Sequence, residues 1–415
     1  MQEGQGSLRI ISLQLGGVLV LFLVSLIWES PSAWAGSLKN VVRDLYGGNG
    51  IVLQPSPPPF PSHAPHFTAS SLQGLESLNT GLTSNLGLFA FNSTVAGFTF
   101  DIERGIPVRT TESLGPLLAE RAPTLGARKL NLAFAYTRLD FSRFQGTRLS
   151  DLSLTFEHED VNGNGIRDTT GPFSFESDDI DVDLDLTIRE DVFALFATYG
   201  LTRNWDVGIV FPIVHIHVRA DAQATIARNS PFSQVVHNFG PQSDSPRSTG
   251  GGDETGIGDI ILRTKYNFLR DRPRWPDLAI VGDIKLPTGD SDDLLGTGDT
   301  NLRALLVASR SFGLLTPHVN LGFEWTTAGS EQYNVRYVAG VDARVHPRLT
   351  VAVDVLGRWE PNGDGIGDST IDLGLGAKWN IFQTFLLNAG VQLPLNRNEG
   401  LRANVIWTVG IENTF

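Results

Sequence analysis

From Lys129 to the end of the chain, apolar and polar residues alternate with a period of two in segments of about ten residues separated by turns. In the last segment Trp407 and Val409 fall on one face, whereas Thr408 and Glu412 fall on the other. The earlier segments repeat this alternation, each with one consistently apolar face. The pattern predicts a continuous series of β-strands and an all-β fold.

The number of these segments and the lengths of their connections predict the architecture. About thirteen segments can be counted back from the C-terminus. They start near Lys129, Asp151, Asp178, Asn204, Gly256, Asp277, Asp299, Pro317, Tyr333, Leu349, Asp368, Gln383 and Leu401. Tight turns such as 200–203 alternate with long loops such as 158–177 and 227–255. A barrel with both termini in the periplasm needs an even number, so we predict a transmembrane antiparallel up-and-down β-barrel of about 12 to 14 strands, with 14 preferred.

The first 35 residues have the features of a targeting signal. Arg9 precedes an apolar run over residues 10–27, and the small-residue pattern Ala33-Trp34-Ala35 follows. We expect a signal peptide over residues 1–35, cleaved before Gly36. The alternative is an uncleaved membrane anchor, since the run approaches spanning length. Both alternatives export the rest of the chain.

Residues 36–126 are irregular and include a proline-rich stretch over residues 55–61, which cannot form a regular hydrogen-bonded ladder. We expect a small hairpin from residues 97–102 and 107–111, and a short helix over residues 114–122. Irregular backbone cannot face lipid, so this region is either a plug inside the barrel or a periplasmic extension. We favour the plug because a wide lumen would otherwise leak, and we assign residues 127–415 to the barrel.

Composition excludes several functions. The chain has no cysteine, which excludes disulfides, cysteine-based metal sites and thiol nucleophiles. A net charge of −13, without a run of Lys or Arg, argues against a nucleic-acid partner. Interfacial aromatic girdles are typical of membrane barrels. The tryptophans beyond the signal segment fit such girdles, since all but the last lie at segment ends: Trp205, Trp275, Trp325, Trp359, Trp379 and Trp407.

Several motifs resemble those of a known family. They are Gly256-Ile257-Gly258-Asp259, Lys285-Leu286-Pro287-Thr288-Gly289 and, ahead of the first clear strand, Ser113-Leu114-Gly115-Pro116. Together they resemble the outer-membrane family named after the MetA pathway of phenol degradation and, more remotely, long-chain fatty acid transporters. The resemblance covers roughly residues 110 to 415 and implies an uptake channel for aromatic or other hydrophobic compounds. It implies no individual ligand residues.

The C-terminus carries a second resemblance. The pattern ending in Phe415 is similar to the signal that the barrel assembly machinery reads, although Asn413 stands where an aromatic or apolar residue is usual. We therefore expect Phe415 to be the assembly signal. The partners would be this machinery, the lipid bilayer and a small-molecule solute, and we expect a monomer in the bacterial outer membrane.

Charged residues on the polar face of the strands must point into the lumen, because Arg or Lys facing mid-membrane lipid costs about 2 to 4 kcal/mol. Two roles remain open for them, a polar conduit or a salt-bridge network that fills and stiffens the barrel. The residues are Arg263, Lys265, Asp283, Lys285, Arg303, Glu324, Arg336, Asp342, Arg344, Asp354, Arg358, Asp372, Lys378 and Glu412.

Two loops place oxygen ligands at positions 1, 3, 5 and 9 with glycine at position 6, as calcium loops do. The first comprises Asp160, Asn162, Asn164 and Asp168, and the second comprises Glu360, Asn362, Asp364 and Asp368. Neither has a Glu at position 12, so turns without an ion are the favoured interpretation and weak calcium binding is the alternative. We expect no other cofactor.

Catalytic motifs are scarce. The sequence has no Gly-x-Ser-x-Gly and no His-Glu-x-x-His motif, and His215 and His217 suit rim positions better than a metal site. We predict a channel or transporter for small, hydrophobic or aromatic molecules and not an enzyme. The alternatives are an outer-membrane barrel hydrolase and a structural or adhesive barrel without transport activity.

Overall fold

The fold was analysed in a computed structural model of the chain. It describes residues 37–46, 50–55, 98–101, 106–109, 113–230, 236–240, 245–327, 332–361, 369–382 and 384–415. The predicted signal peptide lies outside the described residues. None of the described helices is long and apolar enough to cross a membrane.

Strands make up most of the described chain. One short helix, α1, spans Val41–Asp44, and single 3-10 turns span Leu38–Asn40, Leu149–Asp151 and Ser174–Ser177. The strands are β1 (Phe98–Asp101), β2 (Ile106–Arg109), β3 (Leu130–Phe144), β4 (Thr147–Arg148), β5 (Leu152–Glu157), β6 (Asp179–Gly200), β7 (Trp205–Ala227), β8 (Arg247–Ile257), β9 (Ile261–Leu269), β10 (Asp277–Lys285), β11 (Asn301–Ser309), β12 (Leu315–Thr326), β13 (Gln332–His346), β14 (Leu349–Trp359), β15 (Ser369–Phe382), β16 (Phe385–Pro394) and β17 (Leu401–Thr414).

The strands from β3 onward close into an antiparallel barrel. Its order is β3-β17-β16-β15-β14-β13-β12-β11-β10-β9-β7-β6, and β6 pairs back with β3 through Leu130↔Tyr199 to Phe141↔Ile188. The wall therefore has 12 strands, at the lower end of the predicted range. An even number of strands places the first and last residues of the wall at the same rim. Leu130 and Phe415 do meet there, through two backbone hydrogen bonds of 3.0 and 2.8 Å.

The preference for 14 strands was wrong because one predicted segment does not belong to the wall. The segment near Asp151 is β5, which pairs only with residues 179–184 of β6, beyond the part of β6 that contacts β3. Likewise, most of β8 falls in the stretch 227–255, which was predicted to be a loop, and β8 pairs with residues 213–223 of β7. Strands β5, β6, β7 and β8 thus form a four-stranded sheet that continues past the barrel rim, here called the extension.

The two rims differ as predicted. The tight connections between β6 and β7, β11 and β12, β13 and β14, and β15 and β16 lie at the rim that holds Leu130 and Phe415. The long connections and the extension lie at the opposite rim. In outer-membrane barrels short turns face the periplasm and long loops face the exterior, so the extension is extracellular.

The two faces of the wall have opposite polarity. Large apolar side chains on its outer face are exposed, such as Leu195 (49%), Leu306 (50%) and Phe323 (60%). The five tryptophans predicted for the girdles and Trp407 are all exposed, and Trp205 and Trp379 lie close to the periplasmic rim. A closed barrel leaves no strand edge in the hydrocarbon layer, and an apolar outer face suits contact with lipid tails.

The extension has an apolar core of its own. Val182, Leu184, Ile216 and Val218 are buried on its inner face. Residues 37–46 and 50–55, here called the N-terminal segment, cover this face with Leu38, Val41, Leu45 and Ile51. The loop between β10 and β11 adds Leu294 and Leu295. The segment is held there by hydrogen bonds from Lys39 N to Asp292 O (3.0 Å) and from Gln54 N to Asn238 O (2.8 Å).

The two elements predicted in the N-terminal region have different outcomes. The hairpin is confirmed, since β1 pairs antiparallel with β2 from Phe98↔Arg109 to Asp101↔Ile106. The helix over residues 114–122 is wrong, because this stretch consists of bends and extended backbone. Gly115 has a φ of +88°, and the N–H groups of Leu114, Glu120 and Ala122 bond to side chains of the wall instead of to helical carbonyls.

Candidate functional site

Residues 113–126, here called the crossing segment, run across the barrel lumen on the periplasmic side. The amide of Leu114 donates to Thr350 Oγ1 on β14 (2.9 Å), and that of Glu120 donates to Asn320 Oδ1 on β12 (2.8 Å). Farther along, the amide of Leu125 donates to Asp206 Oδ2 on β7 (2.8 Å). Wall side chains thus satisfy backbone groups that have no ladder partner, which fixes the path of the segment.

Glycines on the wall make room for the crossing segment. A Cβ at Gly376 would lie 2.9 Å from Leu117 Cβ, and one at Gly390 would lie 2.3 Å from Leu117 Cδ2. A Cβ at Gly374 would lie 2.5 Å from Leu118 Cδ1. These glycines on β15 and β16 form a shallow depression in which the two leucines pack.

An arc of charged side chains, here called the charge arc, follows the inner wall above the crossing segment. Arg263, Asp283, Arg303 and Glu324 lie directly opposite one another on β9, β10, β11 and β12. Asp283 accepts hydrogen bonds from Arg263 Nε (2.7 Å) and Arg303 Nε (2.8 Å). The ion pairs thus run from strand to strand around the wall and make this part of the interior polar.

Two further arginines continue the charge arc. Arg336 and Arg358 are register partners on β13 and β14. Arg336 Nε donates to a carboxylate oxygen of Glu324. Arg358 donates to Asn334 Oδ1 and Glu360 Oε2, both at 2.8 Å.

The crossing segment adds its own charge to the arc. Glu120 is 5% exposed and accepts hydrogen bonds from Arg263 Nη1 (2.6 Å) and Lys265 Nζ (3.0 Å). Both oxygens of its carboxylate are therefore used by cations of β9. This buried, doubly paired contact is the strongest electrostatic link between the segment and the wall.

A second buried cluster holds the start of the crossing segment. Ser113 Oγ donates to Asp342, and Arg121 lies 4.0 Å from the same carboxylate. His318 bridges Asp342 (3.5 Å) and Asp354, whose Oδ1 lies 2.7 Å from His318 Nε2. All five side chains are buried, so the cluster anchors both Ser113 and Arg121 to the wall beside the periplasmic rim.

A cavity of about 150 Å³ lies above the crossing segment. Leu118 and Glu120 line it from the segment. The surrounding wall contributes apolar and charged side chains, among them Leu139, Phe141, Leu356, Ile406, Arg263, Arg303, Arg336, Arg358, Asp372 and Arg402. A space of this volume can accommodate a single aromatic ring.

All fourteen charged residues predicted to face the lumen are buried or half-buried in the structure. Beyond the charge arc, Lys378 Nζ pairs with Glu412 Oε1 (3.1 Å), and Lys285 Nζ lies 3.3 Å from Asp259 Oδ2. Asp372 accepts a hydrogen bond from Arg402. Arg344 is half-buried near the periplasmic end of β13.

Sequence reasoning missed several residues of this site. Glu120 and Arg121 were part of a predicted helix, and no pattern in the irregular region marks them as wall contacts. Arg402 lies on the same predicted face as Thr408 and Glu412 but was overlooked, and in the structure register shifts between Arg402 and Ile406 interrupt the alternation of β17 there. Glu190 was also missed, and in the described part of the chain its buried carboxyl oxygens have no hydrogen-bond partner.

The first predicted calcium loop is a hydrogen-bonded turn. Asp160 accepts hydrogen bonds from the amides of Gly163 (2.8 Å) and Gly165 (2.6 Å), and Asn162 Nδ2 donates to Asp168 Oδ2 (2.6 Å). Of the second loop only Glu360 lies within the described residues, where it pairs with Arg358. No group of three metal-ligating side chains occurs among the described residues.

The two histidines considered as metal ligands lie in the extension. His217 Nδ1 is 2.6 Å from Asp253 Oδ1, and His215 Nδ1 is 2.7 Å from Thr255 Oγ1. Each thus has a partner on β8.

In the N-terminal segment, burial raises the pKa of the Tyr46 hydroxyl above its ordinary value.

A closed antiparallel barrel with an apolar outer face and ion pairs inside is the architecture of a bacterial outer-membrane protein. The chain belongs to the family described as "Putative MetA-pathway of phenol degradation", whose model matches residues 163–408. No curated relative matches the sequence.

Three of the solved structures similar to this chain are as follows. An outer membrane channel from Pseudomonas putida F1 has 14% identity and a TM-score of 0.43, covering 71% of this chain and 98% of that one. A Pseudomonas aeruginosa FadL homologue has 10% identity and a TM-score of 0.34, covering 78% and 96%. The toluene transporter TodX of P. putida has 8% identity and a TM-score of 0.33, covering 70% and 90%.

Proposed function

We propose that this protein is an outer-membrane channel for small, hydrophobic or aromatic molecules. The observation that carries the proposal is the cavity of about 150 Å³, which lies inside a closed barrel and has an apolar side formed by Leu139, Phe141 and Ile406. Membership in a family named for phenol degradation supports the choice of aromatic solutes. A space of this size fits a single aromatic ring.

We also propose that residues 36–126 act as a plug, with the crossing segment as the part that moves. The segment is held by Glu120 and by amide contacts to Thr350, Asn320 and Asp206, all of which are hydrogen bonds that can break without unfolding the wall. Residues 1–35 would act as the cleaved signal peptide. Displacement of the segment would connect the cavity to the periplasmic rim.

The remaining expectations stay proposals. The channel would act as a monomer, transport its solute without chemical turnover, and use Phe415 as its assembly signal. Weak calcium binding by the loop that begins at Asp160 would need the ion to displace the hydrogen bonds now made by Asp160 and Asp168. We propose no resident cofactor.

Flux through purified protein in liposomes tests the channel. Toluene and phenol should enter faster than into protein-free liposomes, and their chemical composition should not change. A reaction product would favour the hydrolase alternative, and neither flux nor product would favour a structural barrel.

A disulfide lock tests the plug in the same assay. The chain has no cysteine, so the double variant Leu117→Cys with Gly376→Cys would carry a single thiol pair. The Cβ atoms would start 2.9 Å apart, and a shift of about 1 Å gives disulfide geometry. Toluene flux should fall about tenfold on oxidation and return on reduction, whereas the single variant Leu117→Cys should not respond. Equal flux in both redox states would contradict a moving segment.

A further inference from the structure

The cavity above the crossing segment has two chemically different sides. Strands β11, β13 and β14 contribute the guanidinium groups of Arg303, Arg336 and Arg358. Strands β3 and β17 contribute mostly apolar side chains, namely Leu139, Phe141, Leu401, Ala403 and Ile406, together with Arg402, which pairs with Asp372. A ligand that filled this space would meet cations on one side and hydrocarbon on the other.

Every arginine of the charge arc has a carboxylate partner, but Arg336 uses only one of its nitrogens for that partner. Arg336 and Arg358 stand directly opposite each other, although like charges in register repel. Arg336 uses Nε to bind Glu324, while its two terminal nitrogens make no hydrogen bond to any residue that the structure describes. Arginine binds carboxylates best through two parallel N–H groups, so an acidic ligand has donors available here.

Glu120 shows how a carboxylate binds in this cavity. It reaches the wall from the crossing segment, lines the cavity, and accepts hydrogen bonds from Arg263 and Lys265. An external carboxylate that approached the same arc would compete with Glu120 for Arg263. Binding of the ligand and release of the segment would then be coupled through one set of cations.

We infer that the cavity binds a small aromatic carboxylate, with its ring against Phe141 and Leu139 and its carboxylate on the charge arc at Arg336. The volume of about 150 Å³ suits one ring with one acidic group. This assignment rests on the proposed channel function and narrows its substrate class from hydrophobic to amphipathic and anionic. A neutral ring would not use the two terminal nitrogens of Arg336, whereas a carboxylate would accept hydrogen bonds from them.

Equilibrium binding of benzoate and of benzyl alcohol to the detergent-solubilised full chain tests the assignment. The two probes have similar rings and differ in charge. Benzoate should bind at least about tenfold more tightly, because hydrogen bonds between charged groups are the stronger kind. Equal affinities would overturn the assignment.

Two variants locate the binding site. Arg336→Gln should remove the preference for benzoate, whereas Arg219→Gln, which changes an exposed arginine of the extension, should keep it. Folding of each variant is checked by the heat-modifiable gel band of an intact barrel. If Arg336→Gln does not fold, Arg336→Lys is used instead, because it keeps the charge but lacks the two parallel N–H groups. Arg336→Lys should weaken benzoate binding several-fold. Unchanged benzoate binding in the folded variant would refute the role of Arg336.

Glu120→Gln tests the competition from the other partner. It should raise benzoate affinity several-fold and leave benzyl alcohol unchanged, because Arg263 and Lys265 lose their internal carboxylate. No gain for benzoate would refute the competition. Binding in detergent is independent of transport, so a protein that moves toluene through liposomes but ignores benzoate keeps the channel function and loses this inference.

Discussion

The extension and the barrel wall share the period-two alternation, but their outer faces have opposite polarity. Strand β6 runs through both regions. In its wall half, Leu195 and Tyr199 are exposed on the outer face. In its extension half, Asp181, Asp183 and Asp185 occupy that same outer face, while Val182, Leu184 and Leu186 are buried inside. The outer face changes from hydrocarbon to carboxylate within one continuous strand, which indicates that the surrounding medium changes from lipid to water.

The interiors of the two regions differ correspondingly. The wall encloses ion pairs such as Lys378–Glu412, whereas the extension buries an aliphatic core under Leu38, Val41 and Leu45 of the N-terminal segment. The wall can expose its apolar residues to lipid, but the extension must cover its own. The extension is therefore stabilised by the hydrophobic effect as a water-soluble sheet is, and the wall by hydrogen bonds and interior pairs.

Removing one member of a buried pair in the wall should have the largest effect. Lys378 and Glu412 are both 1% exposed, so Lys378→Met leaves an uncompensated buried carboxylate. The free energy of unfolding in lipid vesicles should fall by about 3 to 5 kcal/mol in urea titrations. The double variant Lys378→Met with Glu412→Leu should recover most of the lost free energy of unfolding, because no buried charge is then left unpaired. If the double variant lost as much as the single one, the unpaired carboxylate would not be the cause.

A cavity in the extension should have a large but local effect. Leu184→Ala in its aliphatic core should cost about 2 to 5 kcal/mol. Hydrogen exchange should accelerate in residues 179–188 and 216–227 and stay unchanged in β12 to β16. Thr187→Ala on the exposed face of the same strand is the control. Equally faster exchange in the wall would show that the two regions do not unfold separately.

A positive charge on the outer face separates the two environments directly. Leu195→Arg should reduce stability by about 2 to 4 kcal/mol, because the residue meets lipid. Asp183→Arg, on the same face of the same strand, should have little effect because it meets water. Both can be read from urea midpoints of refolded protein in vesicles. A similar loss in both would mean that lipid reaches the extension or misses the wall at Leu195.

Removal of an exposed ion pair should have the smallest effect. Arg219 and Asp221 lie 3.1 Å apart on the outer face of the extension, with side chains 65% and 30% exposed. Arg219→Gln should change the stability by less than about 1 kcal/mol, and added salt should reduce the difference further. A loss as large as that of Lys378→Met would remove the distinction between pairs inside the wall and pairs outside it.

The period of two predicted the strands, their faces and both rims, because each depends on local alternation and on turn length. The strand count was harder to obtain, since β5 alternates as a wall strand does and only its pairing with residues 179–184 of β6 separates it from the barrel. The polar face predicted Arg263, Asp283 and Arg303. Their partner Glu120 could not be predicted, because no local pattern connects residue 120 to β9.

The sequence by itself determined that this chain alternates apolar and polar residues over a long series of hairpins, which has a stable solution in a membrane as a closed barrel. Only the tertiary structure decided where the alternation faces lipid and where it faces water, since the period is the same in β6 above and below the rim. It also decided that Glu120 meets Arg263 and Lys265 across the lumen. Such a contact depends on the path of an irregular segment, which long-range packing and wall hydrogen bonds determine.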